Sequence, residues 1–360
     1  MSTSGPDSDD WSQIVAALGG PEALARSALK DKAFTFARGV RSAEDLLRLA
    51  LSYGPGGHSL RMVCALASAS NFAQLTDPAL TYRLSDSSSW LEALCAEALE
   101  RLVPHHAPSV SRTIRLVDGS IIKGPGNRQW RLHMGYDLGR RRMVGASITS
   151  TQIGESLDCF PVEPGEIRIA DRGYPSRDGL ANVIAGGGDV LVRLTWKSLR
   201  LTDPQGRILD WSEVFRQAST QGKVDQIVQV VRPRSKQPAV PMRLVVLPKP
   251  PDVAAKTRHA VQRAASRAQT KTRDPRTDAA AGYLMLITTL DPAQFNAEDL
   301  MHLYRLRWQV ELVFKRLKSI LKIDRLPARS EALAKTWLHA HLLFAILIEH
   351  FAAQAGAFSP

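Results

Sequence analysis

Cysteine is scarce: Cys64, Cys95 and Cys159 are the only three in 360 residues. They stand far apart, which argues against a disulfide framework or a cysteine zinc site. His105-His106 and the spaced pair His339/His341 have no matching cysteine or acid nearby, so they read as surface or core residues rather than ligands. Long apolar runs are missing too. The stretch LLFAILI near the C-terminus is seven residues long, against roughly 18 for a membrane-spanning helix. The opening residues, MSTSGPDSDD, lack the basic start and apolar stretch of a secretion signal, and no internal repeat is visible. A cytoplasmic protein is expected, and its length suggests two or three structural units.

What is present in excess is positive charge. The formal net charge is +12 and the pI near 9.9, which fits a polyanionic partner. The excess is uneven. Lys256, Arg258, Arg263, Arg267, Lys271, Arg273 and Arg276 crowd into VAAKTRHAVQRAASRAQTKTRDPR against only Asp274. Such density suits contact with a phosphate backbone, although a basic helix is also compatible with a plain solvated face. Arg112, Arg115, Arg140, Arg141 and Arg142 are further candidates.

Along the chain, residues 1–105 are helical by pattern. Ser42-x-x-Asp45 and Ser89-x-x-Glu92 resemble capping boxes that open LLRLAL and LEALCAEAL. Residues 113–122, TIRLVDGSII, form a β-branched run that ends at Asp118-Gly119. In 128–137, RQWRLHMGYD, Trp130, Leu132, Met134 and Tyr136 alternate with other residues, and Val144, Ala146 and Ile148 alternate again after a turn at Asp137-Leu138-Gly139. Period-2 alternation with short connections predicts a three-stranded antiparallel meander. Next come a short strand ending at Asp171, a helix after Pro175 and a strand at 189–194. Three strands, a connection, strand–helix–strand and a late helix is the element order of an α/β, RNase H-like fold. That fold places Asp118 beside Asp171.

The late helix is MHLYRLRWQVELVFKRLKSIL. At about 100° per residue, with Tyr304 at 0°, Arg307 falls near −60°, Glu311 near −20° and Lys318 near −40°, on one stripe about 21 Å long. Leu306, Val310, Val313, Leu317 and Ile320 then supply the buried face. The spacing of Glu311 and Lys315 equally suits a solvated ion-pair face. Three carboxylates gathered together repel unless cations neutralise them. Asp118, Asp171 and Glu311 are therefore candidate ligands for two Mg²⁺ ions, with Mn²⁺ as a substitute, in a metal-assisted phosphoryl displacement.

The combination of Asp118, then Asp171-Arg172-Gly173-Tyr174, then Tyr304/Arg307/Glu311/Lys318 resembles the insertion-sequence-four family of bacterial cut-and-paste transposases. The likeness covers most of residues 40–350. It implies a DDE triad of Asp118, Asp171 and Glu311, and phosphates of the transposon end held by Tyr304, Arg307 and Lys318. Arg193 and Lys315 join these as candidate DNA contacts. The family also implies a largely β-stranded insertion between the second Asp and the Glu, here among runs such as QIVQVV and MRLVVL. In relatives that form a hairpin intermediate, an aromatic residue 21 positions before the signature Tyr stacks on a flipped base. Tyr283 stands there, and a core-packing role for it is equally open.

The resulting division is a helical domain at 1–105 with a role in DNA-end recognition, a first core part at 106–194, a β-rich insertion with a basic helix at 195–282, and a final core part at 283–360. Double-stranded DNA (terminal inverted repeats and target) is the expected partner, with a homodimer in the synaptic complex and nucleoid association. A nuclease without strand transfer and an inactive DNA-binding relic remain alternatives. A tyrosine recombinase using Tyr304 as nucleophile is a poorer one, because it calls for Arg and His rather than clustered acids.

Overall fold

The computed structural model describes residues 7–102, 112–139, 142–234, 237–267, 274–308, 310–311, 315, 323, 326–328 and 330–356. Six helices come first: α1 Asp7–Ala17, α2 Pro21–Lys30, α3 Ala43–Tyr53, α4 Leu60–Ala69, α5 Asp77–Asp86 and α6 Ser88–Leu102. Their starts are chemically marked. Ser42, Ser59 and Thr76 each accept a backbone N–H of the following first turn, opening α3, α4 and α5, which satisfies a donor the helix itself leaves unpaired.

The sheet follows. The meander is β1 Ile114–Lys123, β2 Gln129–Asp137 and β3 Arg142–Ser150. Then come β4 Ile167–Ala170, α7 Arg177–Ala185 and β5 Asp189–Arg193. β1 pairs antiparallel with β2 and parallel with β4, and β4 runs parallel with β5. β4, the first four residues of β1 and the middle of β5 are buried, as expected of parallel strands covered on both faces, with Arg115 and Arg168 the buried charges among them. In β5, Leu191 faces one core while Val190 and Val192 face the other.

After β5 the chain forms β6 Arg200–Thr202, α8 Trp211–Gln221, β7 Val224–Val231, β8 Val240–Pro248, α9 Pro251–Arg267, α10 Pro275–Ala280 and β9 Tyr283–Thr288. These strands extend the same sheet, whose full order is β3-β2-β1-β4-β5-β9-β8-β7-β6. β9 is the joint, pairing with β5 on one side and β8 on the other. Strands as apolar as VDQIVQVV and VPMRLVVLP expose an adhesive edge if left alone, and docking on β9 covers it.

α11 Ala297–Arg305 and the long α12 Glu331–Gly356 complete the described elements. Within α12, Glu331–Ala352 is long and apolar enough to cross a membrane, but 72% of its apolar window is buried inside the protein. The sequence pattern missed this length because Thr336, His339 and His341 interrupt the apolar run; all three are buried. α12 packs on α3, α5 and α6, so the N-terminal helices share one core with it and with one sheet face. α7 and α8 contribute to the core on the other face.

The late helix departs from the expected straight rod. α11 ends at Arg305, Leu306 and Arg307 form a turn, and helical backbone resumes at 308. The amides of Leu306, Arg307 and Val310 bond three residues back, to Leu303, Tyr304 and Arg307, which tightens the backbone. The single-stripe geometry is therefore corrected: Tyr304 is buried rather than displayed. Val310 is buried as expected, Leu306 is only half-buried, and Val313, Leu317 and Ile320 lie outside the described residues.

Candidate active site

Asp118 sits in β1 and Asp171 follows the last residue of β4. Val117 pairs with Ala170 in register, so the next residue on each strand is an acid and the two are neighbours across adjacent parallel strands. The Asp118 carboxylate accepts the Gly119 amide at 2.8 Å. Asp171 accepts the Tyr304 hydroxyl at 2.9 Å and lies 3.7 Å from the Arg193 guanidinium. Arg307 reaches both remaining acids, 3.7 Å from Asp118 Oδ2 and 2.7 Å from Glu311 Oε1. Among the described residues, no three acids, histidines or cysteines lie close enough to share a cation. The Arg307 guanidinium instead links the first acid to the third.

The two aspartates have opposite electrostatics. Burial pushes Asp118 up to about 6, with Glu311 and Glu155 adding to the effect against Gly119 and Arg307. Burial also raises Asp171, but the Arg172 amide, Arg307, Tyr304 and Arg193 outweigh it and hold this carboxyl below its ordinary value. Burial lifts the Tyr304 phenol to about 12, assisted by Asp171, so it remains a donor. Asp118 is thus a half-buried carboxyl with Arg307 as its nearby cation, and the three acids offer hard oxygen donors. Such donors suit a divalent cation, and Arg307 holds a positive charge between Asp118 and Glu311.

A basic pocket of about 240 Å³ adjoins the acids and includes Arg172, Arg193, Lys197, Lys249, Trp196 and Tyr283 in its lining. Burial, with Arg193 and Arg172 nearby, lowers Lys249 to about 8, and its ammonium donates to the Ala281 carbonyl at 2.9 Å. Of these cations Arg193, and Arg172 through its motif beside Asp171, stood out in the sequence. Lys197 and Lys249 are far apart along it, and only the ends of β5 and β8 bring them beside Arg172.

Tyr283 is half-buried at the start of β9. Its hydroxyl donates to the Phe215 carbonyl at 3.0 Å and its ring stacks on Phe215, with centroids 5.1 Å apart. One face is therefore engaged in packing, and the residue also contributes to the basic pocket. In α9 only Ala254 is buried, so Lys256, Arg258, Arg263 and Arg267 project from a solvent-exposed helix. Arg276 instead pairs with Asp274 and covers the Trp196 ring. Lys315 is exposed. Lys318, Lys271, Arg273, Arg140 and Arg141 lie outside the described residues. Arg112 and Arg115 form ion pairs with Asp189 and with Glu163 and Glu166, which is structural work rather than the backbone contact their charge suggested.

Residues 110–348 match the model of the transposase DDE domain. The chain belongs to the DDE transposase family. It is 38% identical over 359 residues to the putative transposase InsL of insertion sequence element IS186A from Escherichia coli (strain K12), covering 98% of this chain and 96% of the relative. It is also 38% identical over 360 residues to the transposase of insertion sequence element IS421 from Escherichia coli, with the same coverage. The protein is accordingly an insertion-sequence transposase, a polynucleotidyl transferase and endonuclease by class. Its mixed α/β sheet is the RNase H-like core that such a domain implies.

Proposed function

We propose that this DDE transposase performs cut-and-paste transposition of its own element as a member of the insertion-sequence-four family, with Asp118, Asp171 and Glu311 as the catalytic acids. The observation that carries this reading is the register of β1 and β4. It sets two acids side by side on the rigid centre of the sheet, with Glu311 joined to Asp118 through Arg307. Mg²⁺ held by these three carboxylates, two ions by the chemistry of such triads and replaceable by Mn²⁺, would supply nucleophile activation and charge neutralisation at the leaving oxygen.

The chain's own residues do the rest. Tyr304 and Arg193 orient Asp171 and keep it ionised. Arg172, Arg193, Lys197 and Lys249 grip phosphates beside the acids, and exposed α9 extends the basic surface along the duplex. Arg307, with Lys318 and Lys315 beyond it, completes the DNA contacts of the Tyr-Arg-Glu-Lys signature. The helical unit 1–105 recognises terminal inverted repeats, and two subunits pair two ends in the synaptic complex on the nucleoid. Cleavage breaks a phosphodiester P–O bond as water attacks. Transfer of the freed 3′-OH to the opposite strand gives a hairpin, with Tyr283 lining the pocket for a displaced base. Incubating a labelled transposon end with target DNA tests the reading: nicked, hairpin and strand-transfer products in sequence support it, and nicking alone reduces the protein to a nuclease.

A further inference from the structure

The segment between β3 and β4 is pinned from below. Arg168, fully buried, pairs with Glu166 and donates to the carbonyls of Leu157, Phe160 and Pro161. Arg115 joins Glu166 and Glu163 to the same network, while Arg131 donates to the Ile153 carbonyl at 2.7 Å. This clamp fixes residues 153–166, and it thrusts Glu155 into the active site.

Glu155 lies against two glycines, each just beyond a catalytic acid. A Cβ on Gly119 would lie 3.4 Å from Glu155 Oε1, and one on Gly173 would overlap the same carboxylate. The bare backbone at Gly173 leaves the carboxylate its place, and Gly119 lies within van der Waals reach of it. Among the described residues no cation pairs with Glu155. A second, independent feature points to the same spot. Tyr174 is 1% exposed, its hydroxyl has no hydrogen-bond partner, and that hydroxyl lies 3.2 Å from the same Gly119 position. A buried phenol is rarely left unpaired unless a further group completes the site.

We infer that Glu155 is a fourth carboxylate of the divalent-cation centre, ligating the cation directly or through one water, with the Tyr174 hydroxyl as the donor that fixes this carboxylate or its water. The inference rests on the assignment of Asp118, Asp171 and Glu311 above. Three carboxylates leave much of an octahedral oxygen shell unfilled, and Glu155 reaches Gly119 and Gly173 from a clamped loop.

The test is Mn²⁺ binding to the full-length protein, read as free Mn²⁺ by electron paramagnetic resonance, with melting temperature followed on the same samples. Glu155→Gln is expected to weaken Mn²⁺ binding about 10-fold or more, as loss of a ligand or ligand-orienting group does. It should also raise the metal-free melting temperature by removing one of several crowded like charges. Glu155→Asp should fall between. Tyr174→Phe should weaken Mn²⁺ binding less than Glu155→Gln. Asp118→Asn and Glu311→Gln serve as controls. If both controls lose Mn²⁺ while Glu155→Gln and Glu155→Asp bind within two-fold of wild type, Glu155 is a loop residue and the inference fails alone. If the controls also bind normally, the catalytic assignment fails with it. A lowered metal-free melting temperature in both Glu155 variants with unchanged Mn²⁺ affinity likewise overturns it.

Discussion

Replacing Asp118 with Asn removes a charge that the fold holds at a loss. The Asp118 side chain is 17% exposed, and burial displaces its carboxyl from the ordinary 3.8 to about 6. In the unfolded chain the group ionises near pH 4, in the folded protein near pH 6, so between those values the native state holds a proton that the unfolded state releases. The stability tied to that proton is fully present below pH 4 and is lost as the pH rises through 6. A displacement of about two pH units corresponds to at most about 3 kcal/mol. With an unfolding entropy of about 0.8 kcal/mol/K for a chain of this length, the ceiling is about 4 °C in melting temperature. The Arg307 contact given up in the variant is long and Arg307 keeps Glu311, so little is lost in return. Scanning calorimetry of metal-free protein should find Asp118→Asn level with wild type near pH 4 and up to about 4 °C more stable at pH 8. Added Mg²⁺ should stabilise wild type and not the variant. An Asn variant less stable at pH 8, or a difference that ignores pH, would refute the picture of an under-neutralised buried acid.

Arg168→Ala should destabilise the protein by about 3–5 kcal/mol, because it removes one of the two cations on buried Glu166, leaving Arg115 alone, and takes the donor from the Leu157, Phe160 and Pro161 carbonyls; denaturant titration reads this directly, and a loss below about 1 kcal/mol would mean the clamp is not holding its loop. Arg307→Ala should weaken binding to the transposon end in divalent cation and flatten the slope of log affinity against log salt by about one; an unchanged slope would leave Arg307 as a partner of the acids only. Tyr283→Phe keeps the Phe215 stack and should cost only about 1 kcal/mol of stability, whereas Tyr283→Ala should cut hairpin formation roughly 5- to 150-fold while first-strand nicking survives. Equal loss of both products in Tyr283→Ala would assign the ring to packing alone.

The strands were legible because alternation is a local signal: β1, β2, β3 and β5 fall where TIRLVDGSII, RQWRLHMGYD, RRMVGASIT and DVLVRL place them. The neighbouring acids were legible because a strand end fixes where a side chain emerges. Three features were not. The break at Leu306–Arg307 lies inside a pattern with good helical periodicity, and only contacts from Tyr304 and Arg307 to distant acids accompany it. The insertion strands read as β-structure but gave no hint that they would continue the core sheet through β9, since strand pairing is decided by partners far along the chain. Glu155 sits in the polar stretch TQIGES, which looks like any loop. The signal that bears on it is indirect, in Gly173 shortly after Asp171, where a side chain would meet the Glu155 carboxylate. Lys249 and Lys197 were hidden for the same reason as Glu155, because proximity to the site comes from topology and not from spacing.

The central claim is that Asp118, Asp171 and Glu311 act as one catalytic centre on DNA, and cleavage of an end-labelled duplex carrying the element's terminal repeat tests it most directly. Wild type in Mg²⁺ should nick at the repeat boundary. Asp118→Ala, Asp171→Ala and Glu311→Ala should each abolish cleavage while shifting the same duplex in a gel about as well as wild type, since carboxylates add nothing to holding an anionic backbone. Strong Mg²⁺-dependent nicking by Glu311→Ala would contradict the account.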